Sequence, residues 1–276
     1  MRARLIVTTI VAGGLALAIG GAMALAGKPS APDTSKYPDL RTVIPDHLNF
    51  VNQQQKEFLR FSNGIANTGP GPWALTPDPP IGTADFTNAV QEIRSSNAKY
   101  LCGQQPKPSD PCYDILQTQI VSSFEYHPTH NHWHTAGVAR FEVRKGSLTG
   151  PVVGQTPKIG FCLLDLYNLD GNAPTSQKVF WDCYTSTQGI QSNWVDQYHQ
   201  ATDGQEVELT GQPNGTYYLV STTNPTGAFL EQSTTNNSAW VRFTLSSDSN
   251  GNRKVAVTGH SDCESPGLCG ENSPNR

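Results

Sequence analysis

Four histidines lie within eight residues of the chain, at His127, His130, His132 and His134. Imidazole is the commonest protein ligand of late first-row transition metals, so a cluster of this density predicts a metal site. Alternate residues of an extended strand point to the same face, whereas a helix would turn these side chains away from one another. The spacing His-x-His-x-His therefore predicts a strand on which His130, His132 and His134 bind one metal ion.

A flat strand would hold the outer two of these ligands too far apart. With a rise of about 3.3 Å per residue, the Cα atoms of His130 and His134 would be roughly 13 Å apart, while nitrogens bound to one ion lie about 3 Å apart. The strand is therefore expected to bend or bulge, with Gly137 as the place for the distortion. Three interpretations of His127 stay open: a ligand, a residue that supports the ligands, or a structural hydrogen-bond partner.

Residues 1–26 have the pattern of a signal peptide. Arg2 and Arg4 precede an apolar run, and Ala24-Leu25-Ala26 fits a cleavage site for signal peptidase. The alternative is an uncleaved membrane anchor, because the run is long enough to span a bilayer. Cleavage predicts a secreted or cell-envelope protein without a stable membrane anchor. It would take the net charge from −4 to about −6, and this acidic balance gives no indication of nucleic-acid binding.

The chain has six cysteines, and in an exported protein they predict disulfides. Fifteen pairings are formally possible, and the local ones are favoured. These are Cys102–Cys112, Cys162–Cys183 and Cys263–Cys269. No Cys-x-x-Cys motif occurs, so neither a zinc knuckle nor a thioredoxin-like redox site is indicated.

Short alternating or apolar runs dominate the rest of the chain, including residues 159–166, 217–221 and 239–245. Turn signals such as Asn214-Gly215 and Asn250-Gly251 separate them. This pattern predicts an all-β protein with a β-sandwich core, long loops and a few short helical turns. The candidates for helical turns are residues 176–184 and 195–200. Residues 27–38 are expected to be a disordered linker, residues 39–262 one domain, and residues 263–276 a disulfide-closed tail.

From about residue 39 to residue 260 the chain resembles the catalytic domain of the lysyl oxidases, which are copper-dependent amine oxidases. The resemblance rests on several segments in matching order rather than on the histidines alone. These segments are Leu59-Arg60-Phe61, Asn67-Thr68-Gly69, the run from Tyr126 to His134, Lys158-Ile159-Gly160-Phe161-Cys162-Leu163, Asp196-Gln197-Tyr198, Asn214-Gly215-Thr216-Tyr217-Tyr218-Leu219 and Thr258-Gly259-His260. The composition is also read as that of a bacterial exported protein.

The resemblance implies roles for particular residues. His130, His132 and His134 match the copper ligands, while Lys158 and Tyr198 match the pair that forms the lysine tyrosylquinone cofactor. His127 matches a histidine of the signature that is not counted as a direct ligand. The implied activity is oxidative deamination of primary amines, either peptidyl lysine or small amines, by dioxygen. Its products are an aldehyde, ammonia and hydrogen peroxide.

Elementary chemistry agrees with these roles. Amine oxidation needs an electrophile and an electron sink, which no standard side chain supplies, so a cofactor must carry the reaction. Copper is favoured over zinc by its higher affinity for nitrogen ligands and by the chemistry with dioxygen. The general base is not identified: Asp196 is close to Tyr198 in sequence, but the two side chains are expected to diverge.

Three positions depart from the family pattern. Thr129 and Trp194 stand where the family typically has cysteines, and Arg140 stands near the place of a further histidine. A guanidinium group keeps its proton, so Arg140 cannot replace a histidine as a base, and it could discourage some amine substrates. These departures leave open a non-catalytic copper-binding envelope protein on the same fold. The exported, loop-rich and disulfide-clipped composition leaves open a cell-surface β-sandwich binding module with structural zinc.

Overall fold

The computed structural model describes residues 33–82, 85–128, 131–156, 160–171, 173, 176–184 and 187–274. The predicted signal peptide of residues 1–26, and also His130 and Lys158, lie outside these ranges. Asp33–Arg276 forms one compact unit. In the part of the chain that is described, no helix has the length and hydrophobicity of a transmembrane span.

The described ranges contain strands, turns and bends but no helix, which confirms the all-β prediction. The strands are β1 (Leu40–Gln53), β2 (Lys56–Asn67), β3 (Trp73–Asp78), β4 (Phe86–Arg94), β5 (Tyr100–Leu101), β6 (Cys112–Tyr113), β7 (Ile115–His127), β8 (His132–Thr135), β9 (Ala139–Lys145), β10 (Val152–Gln155), β11 (Tyr167–Asn168), β12 (Gln188–Ile190), β13 (Trp194–Tyr198), β14 (Glu206–Glu208), β15 (Gly215–Thr223), β16 (Ser238–Ser247) and β17 (Arg253–His260).

These strands form three large antiparallel sheets. The first sheet has the order β1-β2-β13-β11, with β14 also paired to β2. The second has the order β10-β9-β15-β16-β17, and the third the order β12-β3-β4-β7-β8. A small parallel pair, β5 and β6, completes the pairing. The candidate site residues are thus divided between the first sheet, which contains Tyr198, and the third, which contains His132 and His134.

The core follows from the alternation of apolar residues along the strands. In β16, Val241, Phe243 and Leu245 are buried while the residues between them are not, as expected for strands with one face against the core. Phe61 of β2 meets Phe141 of β9 edge to face, with ring centroids 4.9 Å apart, so the first and second sheets share one core. Each fully buried phenylalanine contributes about 1.5–3 kcal/mol through the hydrophobic effect.

All three predicted disulfides are present. Cys102 pairs with Cys112, Cys162 with Cys183, and Cys263 with Cys269. Their Cα–Cα distances of 4.7, 5.7 and 5.4 Å lie in the range that a disulfide spans without movement of the backbone.

Two local expectations are wrong. Residues 195–198 belong to β13, because Trp194–Tyr198 pairs with β2 along its whole length, and residues 176–184 form bends rather than a helical turn. Residues 160–166 form no strand beyond a bridge from Phe161 to Thr135, because their backbone bonds go to several separate segments. Tyr37, at the end of the expected linker of residues 27–38, is 5% exposed and donates its hydroxyl hydrogen to Gln117. The disorder of that linker stays a prediction.

Candidate active site

The β7–β8 hairpin positions the histidines. His127, the last residue of β7, is the direct cross-strand partner of His132, the first residue of β8. The connection is tightened by a hydrogen bond from the Asn131 nitrogen to the His127 carbonyl oxygen, 2.8 Å long, and Asn131 has the positive φ of 56° that such a turn requires. The ring of Tyr126 packs on Trp133 behind the hairpin.

His132 and His134 share one face of β8, as predicted. Their Nε2 atoms are 3.0 Å apart, which is the separation of two nitrogens bound to one ion at about 2.0–2.1 Å. The part of the chain that is described holds no complete group of three histidine, cysteine or carboxylate ligands. It supplies this pair, and the third predicted ligand, His130, lies outside it.

The ring of His127 also lies close to the pair formed by His132 and His134. Its centroid is 4.8 Å from that of His134, which is as close as His132 is to His134, at 4.9 Å. The cross-strand pairing explains this position, because residues directly opposite each other in an antiparallel pair present their side chains on the same face. The hairpin, and not a bend at Gly137, brings His127 to His132. Gly137 lies in the turn after β8 with a φ of 69°.

Gln188, on β12, braces the strand that carries His132 and His134. Its side-chain oxygen accepts hydrogen bonds from the Leu163 nitrogen (3.2 Å) and from the Thr135 hydroxyl (3.0 Å), and its amide group donates to the Trp133 carbonyl oxygen (2.7 Å). Gln188 is fully buried. Sequence reasoning missed this residue, because nothing in its local pattern shows that β8 and the segment around Leu163 meet at its amide.

The segment of residues 160–162 connects the histidine strand to Tyr198. Phe161 exchanges two backbone hydrogen bonds with Thr135, of 2.7 and 3.0 Å. The next residue, Cys162, binds the Tyr198 hydroxyl twice: its nitrogen donates to the phenol oxygen (2.8 Å), and its carbonyl oxygen accepts the phenol hydrogen (3.0 Å). Gly160 packs beside His134, and Lys158 precedes Gly160 by two residues in the sequence.

The phenol of Tyr198 is held in its neutral form. Burial raises its pKa well above the ordinary value, the negative charge of Asp196 raises it further, and the hydrogen bond from the Cys162 nitrogen opposes the rise. The ring of Phe161 meets the Tyr198 ring edge to face, with centroids 4.7 Å apart. The phenol therefore keeps its proton at neutral pH.

One cavity of about 450 Å³ is lined both by a predicted metal ligand, His132, and by the predicted cofactor precursor, Tyr198. It is lined by His132, Cys162, Leu164, Leu166, Asp196, Gln197, Tyr198 and Thr202. Asp196 and Tyr198 both face it, so the expectation that their side chains diverge is wrong. Residues two apart in a strand point to the same side, which agrees with Asp196 and Tyr198 both lining the cavity.

The loop closed by the Cys162–Cys183 disulfide is attached both to the 160–162 segment and to the histidine strand β8. Cys183 is bonded to Cys162, and its carbonyl oxygen accepts a hydrogen bond from the Trp133 nitrogen. Asp165, which is fully buried, accepts hydrogen bonds from the backbone of residues 179, 180 and 191, and burial raises its pKa. These contacts hold the loop beside the histidines, where the Tyr184 ring is 6.1 Å from that of His132.

Two of the three residues that depart from the family pattern lie in ordinary structural positions. Trp194 is 3% exposed on β13 and belongs to the hydrophobic core. Arg140 pairs with Glu142 on the second sheet and is not among the described residues that line the cavity. Thr129 lies outside the described residues.

A search against protein-family models matches residues 110–254 to the lysyl oxidase family, which is more than half of the chain. The chain belongs to the lysyl oxidase family. The matched region contains the histidine hairpin, the segment that leads to Cys162, and Tyr198. The family assignment therefore agrees with the resemblance in the sequence.

Curated members of the lysyl oxidase family are similar over part of the chain. Lysyl oxidase homolog 1 of Homo sapiens is 29% identical over 124 residues, covering 45% of this chain and 21% of the human protein. The Bos taurus protein of the same name is 29% identical over 124 residues, covering 45% of this chain and 20% of its own length. The match thus spans about a fifth of the length of these relatives.

Proposed function

We propose that this protein is an exported amine oxidase that uses copper and a lysine tyrosylquinone cofactor to convert primary amines to aldehydes, with release of ammonia and hydrogen peroxide. The observation that carries the proposal is that one cavity is lined by His132 and by Tyr198, which come from different sheets. A purely structural histidine cluster has no need of a buried tyrosine in the same cavity.

The histidines fit a copper ion. His132 and His134 present their Nε2 atoms at the spacing of two ligands, and His130 is proposed to complete the set. The ring of His127 lies against His134, where it supports the ligands or joins them. Soft thiolates are not offered as competing ligands, because all six cysteines are in disulfides.

Tyr198 fits the role of quinone precursor, with Lys158 as its proposed partner. With copper and dioxygen, the cofactor would supply the electrophilic carbonyl and the electron sink that amine oxidation requires. The protein's own contribution is to fix the ring: the backbone of Cys162 binds the phenol from two sides, and Phe161 packs on its edge. A ring fixed in this way presents one geometry to its partners.

The compartment and the partners follow from the same proposal. Three disulfides are consistent with an extracytoplasmic protein, which here means a secreted or cell-envelope location. Dioxygen is the proposed oxidant. The proposed substrate is a primary amine, either a small amine or the side chain of a peptidyl lysine.

Peptide mapping tests the proposal directly. After copper-dependent maturation in air, a tryptic digest is expected to contain one cross-linked species that joins the peptides of Lys158 and Tyr198, and a quinone stain of the intact protein is expected to be positive. Lys158→Ala and Tyr198→Phe are each expected to abolish both signals. Separate, unmodified peptides in the copper-matured parent would refute the cofactor assignment.

Tyr184→Phe is the matched control, because Tyr184 is another tyrosine whose ring approaches His132. It is expected to keep the cross-link, since only Tyr198 is fixed by the Cys162 backbone. Hydrogen peroxide released on addition of a primary amine then separates an oxidase from a non-catalytic copper-binding protein. Bound copper with a cross-link but no peroxide from any primary amine would favour the non-catalytic alternative.

A further inference from the structure

One stretch of β7 lies at an open edge of the third sheet. β8 pairs with β7 only at residues 124–127, and the chain that follows β8 makes its last described backbone hydrogen bond to β7 at Ser123. Beyond that point, the described part of the chain supplies no strand to residues 115–121 on this side, and Tyr37 binds only the side chain of Gln117. Residues 115–121, here called the open edge, therefore present backbone N–H and C=O groups to which another strand can pair.

The open edge is apolar and uncharged. Leu116 and Ile120 are 57% and 60% exposed, and all the residues from Ile115 to Ile120 are exposed. Charged side chains on an edge strand commonly keep it from pairing with another molecule. The edge strand of the second sheet, β17, carries Arg253 and Lys254 in this way, whereas the open edge of β7 has no charged residue.

The regular part of the open edge is short. The pairing of β7 with β4 shifts register between Ala89 and Val90 and again between Ile93 and Arg94, which leaves residues 117–120 as an uninterrupted run. Bulges of this kind twist an edge and limit the length over which a further strand can pair. We therefore expect an added strand to bury a small interface and to bind in about the micromolar range or more weakly.

The sequence of the open edge indicates which strand fits it. Ile-Leu-Gln-Thr-Gln-Ile-Val reads almost the same in both directions about Thr118. An antiparallel pairing of two copies centred on Thr118 places Leu116 of one molecule opposite Ile120 of the other, and Gln117 opposite Gln119. Apolar residues thus meet apolar residues and amides meet amides, as a two-fold interface requires, because it uses the same patch on both molecules.

We propose that two copies of this chain form a dimer by antiparallel pairing of their open edges about Thr118, which joins the third sheets of both molecules into one continuous sheet. The backbone groups of the open edge supply the hydrogen bonds, and Leu116 and Ile120 supply the apolar contact. The dimer does not depend on the proposed function, because the described residues that line the Tyr198 cavity lie outside the open edge.

Sedimentation equilibrium of the purified, metal-free protein over the micromolar range tests the proposal, and the absence of metal prevents the histidines from bridging molecules. The parent is expected to show a monomer–dimer equilibrium. Thr118→Lys and Thr118→Glu each place like charges opposite each other at the two-fold axis, so each is expected to weaken the dimer at least about tenfold. An equal mixture of the two variants is expected to regain the dimer, because a lysine then faces a glutamate.

Thr216→Lys is the matched control. Thr216 is also an exposed threonine on a strand, but its strand, β15, is paired on both sides, with β9 and with β16. This variant is expected to dimerise as the parent does. Because Glu92 lies opposite Thr118 within the same molecule, urea unfolding of each variant is measured to show that it is folded.

A thiol at the centre of the open edge gives a test without added charge. All six native cysteines are in disulfides, so Thr118→Cys introduces the one free thiol of the chain. Directly opposed residues of an antiparallel pair lie close enough for a disulfide, and mild oxidation is expected to yield a covalent dimer severalfold faster than in Thr216→Cys.

Three outcomes would overturn the proposal. The first is a parent that stays monomeric throughout the micromolar range, which would leave the open edge to a strand of another protein. The second is a dimer of unchanged affinity in folded Thr118→Lys, and the third is equal rates of covalent dimer formation in Thr118→Cys and Thr216→Cys. A dimer in the parent that is lost in Thr118→Lys and regained in the mixture would establish both the partner and the register.

Discussion

The phenol group of Tyr198 forms hydrogen bonds with both the amide nitrogen and the carbonyl oxygen of Cys162. The tyrosine is thus positioned by backbone groups, and the backbone at Cys162 is in turn positioned by the bridge between Phe161 and Thr135. A short run of irregular chain therefore sets the distance between the histidine strand and the tyrosine strand. Because Lys158 belongs to the same run in sequence, the proposed cofactor joins two parts of the chain that the fold already connects.

Replacing Tyr198 by phenylalanine is expected to change how the free energy of unfolding depends on alkaline pH. Burial raises the pKa of Tyr198 in the folded protein, so above about pH 10 the unfolded state loses a proton that the folded state keeps. The stability that this group provides is fully present below the unfolded pKa and is lost as the pH rises through the folded pKa. One such group lowers stability by up to about 1.4 kcal/mol per pH unit in that window.

Urea unfolding of the metal-free protein between pH 8 and pH 11 measures this dependence. Tyr198→Phe is expected to have a shallower decline than the parent, whatever its stability at pH 8. Tyr217→Phe is a useful comparison, because burial also raises the pKa of Tyr217. Its removal is expected to reduce the alkaline loss of unfolding free energy independently of Tyr198. Parallel curves for Tyr198→Phe and the parent would show that the Tyr198 phenol is not buried in solution.

Local patterns in the sequence predict much of this fold. Apolar alternation predicts the buried faces of β15 and β16, and Asn250-Gly251 predicts the turn between β16 and β17, where Gly251 has a φ of 80°. The disulfides are predictable because each joins cysteines that are close in sequence. The all-β class and the shared face of His132 and His134 follow from the same period of two residues.

The contacts that complete the site are not periodic, and for that reason the sequence does not reveal them. Gln188 meets Thr135 across 53 residues, and Cys162 meets Tyr198 across 36. The position of His127 depends on the register of the β7–β8 hairpin, although a histidine just before a short turn is a signal that would have allowed it to be found. The orientation of Asp196 was predictable, because Asp196 and Tyr198 are two residues apart and such residues of a strand share a face.

The Cys162–Cys183 disulfide is expected to matter for cofactor formation, and the Cys102–Cys112 disulfide only for stability. The first ties the segment that holds Tyr198 to the loop beside the histidines. In the second, Cys112 belongs to β6 and Cys102 directly follows β5. Removing either bridge by a double Cys→Ala change is expected to cost about 2–5 kcal/mol.

Copper-matured samples of the two double variants, compared below their melting temperatures, separate the effects. Removal of Cys162–Cys183 is expected to reduce the yield of the Lys158–Tyr198 cross-link severalfold, and removal of Cys102–Cys112 is expected to leave it near the parent value. Equal yields in both folded variants would show that the Cys162–Cys183 bridge does not position the site.

Gln188→Leu is expected to weaken copper binding although Gln188 does not contact a predicted ligand directly. The change leaves the Leu163 nitrogen and the Trp133 carbonyl oxygen without their buried partner, at a cost of about 2–4 kcal/mol in unfolding free energy. Because Trp133 lies between His132 and His134, the ligand geometry loosens, and copper affinity is expected to fall about tenfold. Competition with a chelator of known affinity measures the copper affinity.

Gln119→Leu, which changes an exposed residue on β7, is the control. A loss of stability in Gln188→Leu with unchanged copper affinity would contradict the bracing role.

His132→Ala is expected to prevent formation of the Lys158–Tyr198 cross-link, because it removes one of the two nitrogens that lie at ligand spacing and opens the wall of the cavity that Tyr198 shares. His260→Ala is the matched control, since His260 is an exposed histidine at the end of β17. This variant is expected to bind copper and to form the cross-link as the parent does.

The parent loaded with zinc instead of copper is expected to remain without the cross-link, because zinc has no redox chemistry with which to oxidise the phenol. Mass spectrometry of the three samples, with elemental analysis of bound metal, distinguishes the possibilities. A cross-link in His132→Ala or in zinc-loaded protein would separate the tyrosine chemistry from the histidine site, whereas stoichiometric zinc and no copper uptake by the parent would favour a structural role for the histidines.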